Sequence, residues 1–198
     1  MSAISGDSEA RIVIVGKVGS GKTSMIHSLL KLRYSDSHEP TIGCNLYEAY
    51  ILEESTPSNF HVFIWDTSGN DAYDAVTREY YKGATCAVIT CDAEDSRVRL
   101  QETVTRFLQP LRVECGPIPV IIAVTRSDPL DATLHATSLR SLSVDGREIP
   151  VLQTSVRDPS SVTQLFKRLL LEVVRHHQLV GVRTDDPIHR LIALTRKP

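Results

Sequence analysis

The sequence is short of the features that mark a secreted, membrane-spanning or nucleic-acid-coating chain. Only four of its 198 residues are cysteines, Cys44, Cys86, Cys91 and Cys115. None has C-x-x-C spacing or a nearby histidine pattern for a metal, and two fall inside an apolar run, so they read as buried thiols of a reducing compartment. No apolar stretch approaches the ~20 residues of a membrane span. The opening "MSAISGDSEA" has neither the basic start nor the apolar centre of a signal peptide. Ser2 stands where N-myristoylation needs glycine, and no cysteine follows Cys115, so no lipid anchor is expected. A net charge of −2 and a pI near 6.4, with no run of lysine or arginine, give no general attraction to nucleic acid or anionic lipid. The expectation is a cytoplasmic protein of one domain, which 198 residues suit.

What is present is an alternation of short apolar runs and longer amphipathic stretches. The apolar runs lie at 11–16, 61–66, 85–91, 119–125 and 149–154, with an alternating, half-exposed strand at 45–54 beside the second. Helical patterns fall at about 21–33, 70–80, 95–113, 131–142 and 159–178. This order predicts an α/β fold: a mostly parallel six-stranded sheet with one antiparallel strand and helices on both faces. Such sheets bind ligands beyond the carboxyl ends of their strands, so functional residues should follow strands. Residues 1–9 read as a flexible start, 10–180 as the domain, and 181–198, after a helix stop at Gly181, as a tail that packs on the domain or on a partner.

The first apolar run leads into "GKVGSGKTS", in which Gly16, Gly21, Lys22 and Thr23 fit G-x-x-x-x-G-K-[ST]. Glycines let successive backbone N–H groups wrap a phosphate at a helix N-terminus, where the dipole favours negative charge. The lysine adds a point charge toward β- and γ-phosphates, and the threonine hydroxyl can ligate Mg2+. A glycine-rich turn also occurs without a ligand, but here it sits between a strand and a helix, as the motif requires. Gly16, Val18, Gly19, Ser20, Gly21, Lys22, Thr23 and Ser24 are therefore the expected phosphate-binding stretch.

A second element follows the next buried strand. Asp66 precedes Thr67, Ser68 and Gly69; the aspartate can hold a Mg2+-bound water, and Gly69 can offer an unhindered N–H to a γ-phosphate. The other reading of Asp66 is a helix N-cap. Thr41 lies in the loop "EPTIGC", where its hydroxyl and carbonyl can reach the same metal and phosphate.

Together these stretches resemble the Ras-like small GTPases, and within them the Rab family. "TIGCNLYEAY" reads as switch I, "WDTSGNDAYDAVTREYYKGA" as switch II with its helix, and "TSVRD" as the base-binding loop, in a match running from Arg11 to about His177. Tyr34 and Thr41 follow Thr23 by eleven and eighteen residues, which the resemblance assigns to the edge of the guanine and to Mg2+. "SMI", "YDAVTREYYKGA", "GPIPV" and "TSVRD" look most like the Rab subgroup linked to cilia and Hedgehog signalling. The resemblance implies a GTP/GDP-binding switch in membrane or ciliary trafficking that hydrolyses GTP. It implies metal ligands Thr23, Thr41 and, through water, Asp66, and catalytic roles for Lys22, Thr41, Gly69 and the switch II residue Asn70. Effectors would read Leu46, Trp65 and Tyr80, where Leu46 replaces the usual phenylalanine and core packing is the equal alternative for Trp65. An exchange factor and a GTPase-activating protein are implied as well, and membrane or ciliary location would come through a partner.

Four departures from the family pattern bear on mechanism. Asn70 stands for the water-orienting glutamine, one methylene shorter, and Val18 puts a branched side chain beside the phosphates, so slow hydrolysis is expected. Base recognition, usually Asn-Lys-x-Asp, is Thr125-Arg126-Ser127-Asp128. Asp128 keeps the two hydrogen bonds to guanine and Arg126 can stack on the purine, while Thr125 is read as too short to bridge base and phosphate loop. The same base site carries a second change, Ser155, Val156 and Arg157 for Ser-Ala-Lys, in a loop that acts through a backbone N–H. The fourth departure is the absence of a prenylated cysteine. A scaffold subunit of a larger assembly, locked with GTP, is the alternative to a cycling switch, and Asp128 with "TSVRD" argues against a P-loop kinase or ATPase.

Overall fold

The computed structural model describes residues 9–32, 39–53, 56–126, 139–179 and 193–196. Strand β1 (Glu9–Gly16) is the centre of the sheet. Its residues alternate between two faces, as a strand's must: Ile12 and Ile14 pack into one apolar cluster, Val13 and Val15 into the other. Helices α1 (Lys22–Leu29) and α4 (Pro159–Leu179) cover the first face through Met25, Ile26, Leu165 and Leu169. Helix α3 (Arg97–Cys115) covers the second through Leu100, Val104, Leu108 and Leu111. Burying an aliphatic side chain of this size contributes roughly 1.5–3 kcal/mol, so these paired faces are the main stabilising contact of the fold.

The remaining strands are β2 (Cys44–Glu53), β3 (Thr56–Thr67), β4 (Cys86–Asp92), β5 (Val120–Thr125), β6 (Ser141–Val144), β7 (Arg147–Gln153) and β8 (Ala193–Arg196). They stand in the order β6-β7-β5-β4-β1-β3-β2-β8. The β1–β3, β1–β4, β4–β5 and β5–β7 pairs are parallel, and β2–β3, β2–β8 and β6–β7 are antiparallel. The expected α/β class and mostly parallel sheet are found, with eight strands where six were expected. Strand β1 lies between β3 on one side and β4 on the other, so the chain order reverses there, and a crevice opens beyond its carboxyl end.

Both extra strands differ from the expectation for physical reasons. The helix expected over 131–142 falls largely outside the described residues, but its last residues belong to β6. Asp145 and Gly146, with φ of 50° and 74°, make a two-residue hairpin that returns the chain as β7. Asp-Gly is the residue pair such a left-handed turn favours, and "SLSVDGREI" alternates buried and exposed residues around it. The pair falls just beyond the helical pattern, which overlaps β6 only at 141–142. Strand β8, from the tail, pairs with Ala49–Leu52 on the outer edge of β2. The helical pattern at 70–80 resolves into a 3-10 turn (Asp71–Tyr73) followed by α2 (Asp74–Glu79).

Candidate nucleotide-binding cleft

The β1–α1 turn is built from glycine because the chain must turn sharply while its backbone stays close to the sheet. Gly19 and Gly21 have φ of 74° and 82°, a region that side chains rarely enter, and Gly21 caps α1 in that conformation. Lys22, the first residue of α1, is buried, and its Nζ donates to the carbonyls of Gly16 and Lys17, both at 2.9 Å. The lysine thus lies along the inside of the turn. Burial lowers its pKa to about 8, with the nearby Asp66 acting in the opposite sense.

Thr23, Thr41 and Asp66 converge beside it. The Thr23 hydroxyl donates to Asp66 Oδ2 at 2.7 Å and lies 3.1 Å from the Thr41 hydroxyl, which is 3.5 Å from the same carboxylate oxygen. Asp66 is fully buried at the end of β3, and its other oxygen, Oδ1, has no hydrogen-bond partner. Burial raises its pKa, against the Thr23 hydrogen bond and the Lys22 charge. Buried carboxylate oxygens are rarely left unpaired. Two hydroxyls and an unpartnered carboxylate oxygen form a set of hard oxygen donors, the chemistry that Mg2+ takes. The residues present therefore fit the ion.

Gly69 lies against the phosphate loop itself: a Cβ there would collide with the backbone of Gly16, Lys17 and Val18. This close approach is a second reason for glycine, beyond the free N–H read from the sequence. Asn70 is exposed and turned outward, its Oδ1 accepting from the Ala72 N–H at 3.0 Å as the cap of the 3-10 turn. It does not line the cleft. Val18 does, at the mouth and 58% exposed.

At the other end of the cleft, the Thr125 hydroxyl donates to the Ser20 carbonyl at 2.9 Å, sharing its hydrogen with the Cys91 carbonyl at 3.1 Å. The loop half of the asparagine's bridge is thus made by a hydroxyl, because the end of β5 comes close enough to the β1–α1 turn to span the gap. Arg126, at a φ of 59°, turns back across the cleft and donates to Gly19 O at 2.7 Å and Asp92 Oδ2 at 2.9 Å. Ser155 is buried, and its Oγ accepts from the Arg157 N–H at 3.2 Å, which shapes the loop that presents Val156. Tyr34 and Asp128 lie outside the described residues.

The cleft encloses about 910 Å3 and runs from Val18, Lys22, Thr41 and Gly69 to Thr125, Arg126 and Ser155–Arg157, with Ser24 between. Ser20 lies behind the lining, its hydroxyl facing Thr90 at 2.6 Å. His27 also lines it and contacts the Tyr47 hydroxyl at 3.1 Å. The sequence reading did not select His27, and nothing in its helical position signals a place in the cleft. The three residues of the expected effector face are together on the outer surface. Leu46 is opposite Trp65 across β2 and β3, and Trp65 stacks on Tyr80 with centroids 5.6 Å apart. Trp65 also packs on the α3-side core, as its core-packing reading expects.

Comparison with known proteins gives one family match: the model for the Roc family, described as "Ras of Complex, Roc, domain of DAPkinase", matches residues 11–128. The chain is similar to the Ras-related protein RABF2a of Arabidopsis thaliana, 25% identical over 167 residues covering 84% of this chain and 82% of that one. It is 24% identical to the Ypt/Rab-type GTPase ypt7 of Schizosaccharomyces pombe over 188 residues, 90% of each. The GTP-binding protein ypt3 of the same yeast is 27% identical over 184 residues, 90% of this chain and 83% of that one.

Proposed function

The chain belongs to the Roc, or Ras of complex, family of Ras-like GTPase domains, and from that premise we propose that it binds GTP and GDP with Mg2+ in this cleft as a Rab-like switch with slow hydrolysis. The observation that carries the reading is the meeting of Lys22, Thr23, Thr41 and the unpartnered Oδ1 of Asp66. Lys22 sets its charge against the β- and γ-phosphates. Thr23 and Thr41 would hold Mg2+ by their hydroxyls and Asp66 through water, where the ion would supply positive charge against the phosphates. Gly69 offers its N–H on the γ-phosphate side, Arg126 lays its plane on the purine, and the loop at Ser155, Val156 and Arg157 meets the base edge with Asp128. Tyr34 borders the same base.

Slow hydrolysis follows from two side chains. Phosphoryl transfer to water depends on holding that water in line. Asn70 has the right chemistry for this, but its carbonyl caps the 3-10 turn, and Val18 narrows the space beside the γ-phosphate. That cap also favours the second reading, a subunit that keeps GTP and serves as a scaffold in a larger assembly, ciliary transport included. In either case partners read Leu46, Trp65 and Tyr80 when GTP orders Thr41 and Gly69. An exchange factor and an activating protein complete the cycle of the first reading. The working unit is 10–180, with 181–198 as a tail that adds β8 to its sheet, and recruitment to membrane or cilium is through a partner.

The test is to identify the nucleotide that copurifies and to titrate the emptied protein with GTP and ATP. Bound GDP or GTP, with GTP preferred to ATP, is expected; GDP favours the cycling switch and GTP the scaffold. Equal affinity for ATP would overturn the guanine reading.

A further inference from the structure

The phosphate loop is tied down from beneath by polar groups that touch no part of the cleft. Thr90, on β4, is fully buried, and its hydroxyl donates to the Val15 carbonyl at 3.1 Å. The hydroxyls of Thr90 and Ser20 also lie 2.6 Å apart and form a hydrogen bond in which either can donate. Val15 is the last residue before the loop and Ser20 the last before Gly21. One hydroxyl therefore ties the residue before the expected phosphate-binding stretch to Ser20 in its middle. Gly16 rests directly on this clasp, since a Cβ there would collide with Thr90 and Ser20 together. On the far side of Ser20, Thr125 holds its carbonyl.

We propose that Thr90 is a positioning residue: by joining Val15 to Ser20 it presets the backbone curve of the loop, and so governs how long a nucleotide stays bound. The inference rests on the nucleotide reading above and goes beyond it, because Thr90 contacts no ligand. A buried hydrogen bond between two hydroxyls is well placed for this task. It is shielded from water, and losing one member leaves the other buried without its partner. A loop already in its bound shape loses less entropy on binding, which strengthens affinity chiefly through slower release.

The experiment loads the full chain with a fluorescent GDP and follows its release into excess unlabelled GDP, for wild type, Thr90→Val, Thr90→Ser, Ser20→Ala and the Ser20→Ala, Thr90→Val double variant. Thr90→Val should release about five- to tenfold faster, the effect of one buried hydrogen bond. Thr90→Ser, which keeps the hydroxyl, should stay within about twofold. The double variant should be no faster than the worse single one, because both substitutions break the same bond. Unchanged release from Thr90→Val would overturn the proposal, as would additive effects. So would a loss of thermal stability that accounts for the faster release and is shared by Thr90→Ser. If wild type binds no guanine nucleotide, the functional reading fails by itself, and hydrogen exchange at the amides of 17–21 in the free protein decides the clasp. Faster exchange there in Thr90→Val sustains it; equal exchange ends it.

Discussion

The turn after β1 and the segment after β3 face each other across one cleft, yet they are held in opposite ways. The first is fixed by buried groups: Lys22 on two carbonyls, Thr125 and Thr90 from the neighbouring strands, and a glycine that no other residue could replace. The second is buried only as far as Ser68, with Gly69 packed against the loop, and beyond them it is fixed on the surface. Asn70 caps its 3-10 turn, and Arg106 of α3 reaches Asp71 at 2.6 Å and Asp74 at 3.1 Å, with Asp71 72% exposed. Exposed ion pairs contribute about 0–1 kcal/mol, whereas a buried group deprived of its partner costs about 1–3 kcal/mol. The β1–α1 turn is thus held by several buried contacts at once, and the 3-10 turn beyond Gly69 by weak and replaceable ones. On the proposed function, that contrast favours holding the nucleotide over consuming it.

Substitutions on each side sharpen that contrast. Lys22→Ala should have the largest effect, a loss of nucleotide affinity of at least about a hundredfold, since it removes the charge-assisted bonds to phosphate; isothermal titration with GTP checks this. Asp66→Asn keeps a group able to accept from Thr23 but removes the negative charge, so the Mg2+ dependence of release should fall by about tenfold. Release measured with and without a chelator reads it. On the other side, Asn70→Gln gives up the cap for reach and should raise single-turnover hydrolysis about threefold, with Val18→Gly adding to it. The smallest change is expected from Arg106→Ala, about twofold or less in any rate and erased by salt. Fluorescence of Trp65, the one tryptophan in the chain, should register it through the stack on Tyr80. A large effect from Arg106→Ala, or a small one from Lys22→Ala, would break the comparison.

Much of this was legible before the fold was known, because glycine, lysine and aspartate at strand ends each answer to one physical demand. The phosphate loop, Asp66 and the parallel core follow from apolar period and motif spacing alone. What the sequence concealed was set by distance in space. Thr125 reaches Ser20 because β5 ends beside the loop, and Thr90 reads as one more residue of a buried strand until β4 is laid against β1. Asn70 could be compared with a glutamine by length, but its use as a cap depends on the turn that follows. The Asp145-Gly146 pair lies just past the helical pattern at 131–142, whose last two residues belong to β6 instead.

The central claim is that the cleft retains GTP and turns it over slowly, and the most direct measurement is a single-turnover assay. Wild-type protein is loaded with GTP, supplied with Mg2+, and the bound GTP-to-GDP ratio followed over hours. The account predicts tight retention with hydrolysis at or below ~10⁻⁴ s⁻¹, the unaided rate of Ras-like enzymes. Hydrolysis well above that rate, unchanged in Asn70→Gln, would contradict it.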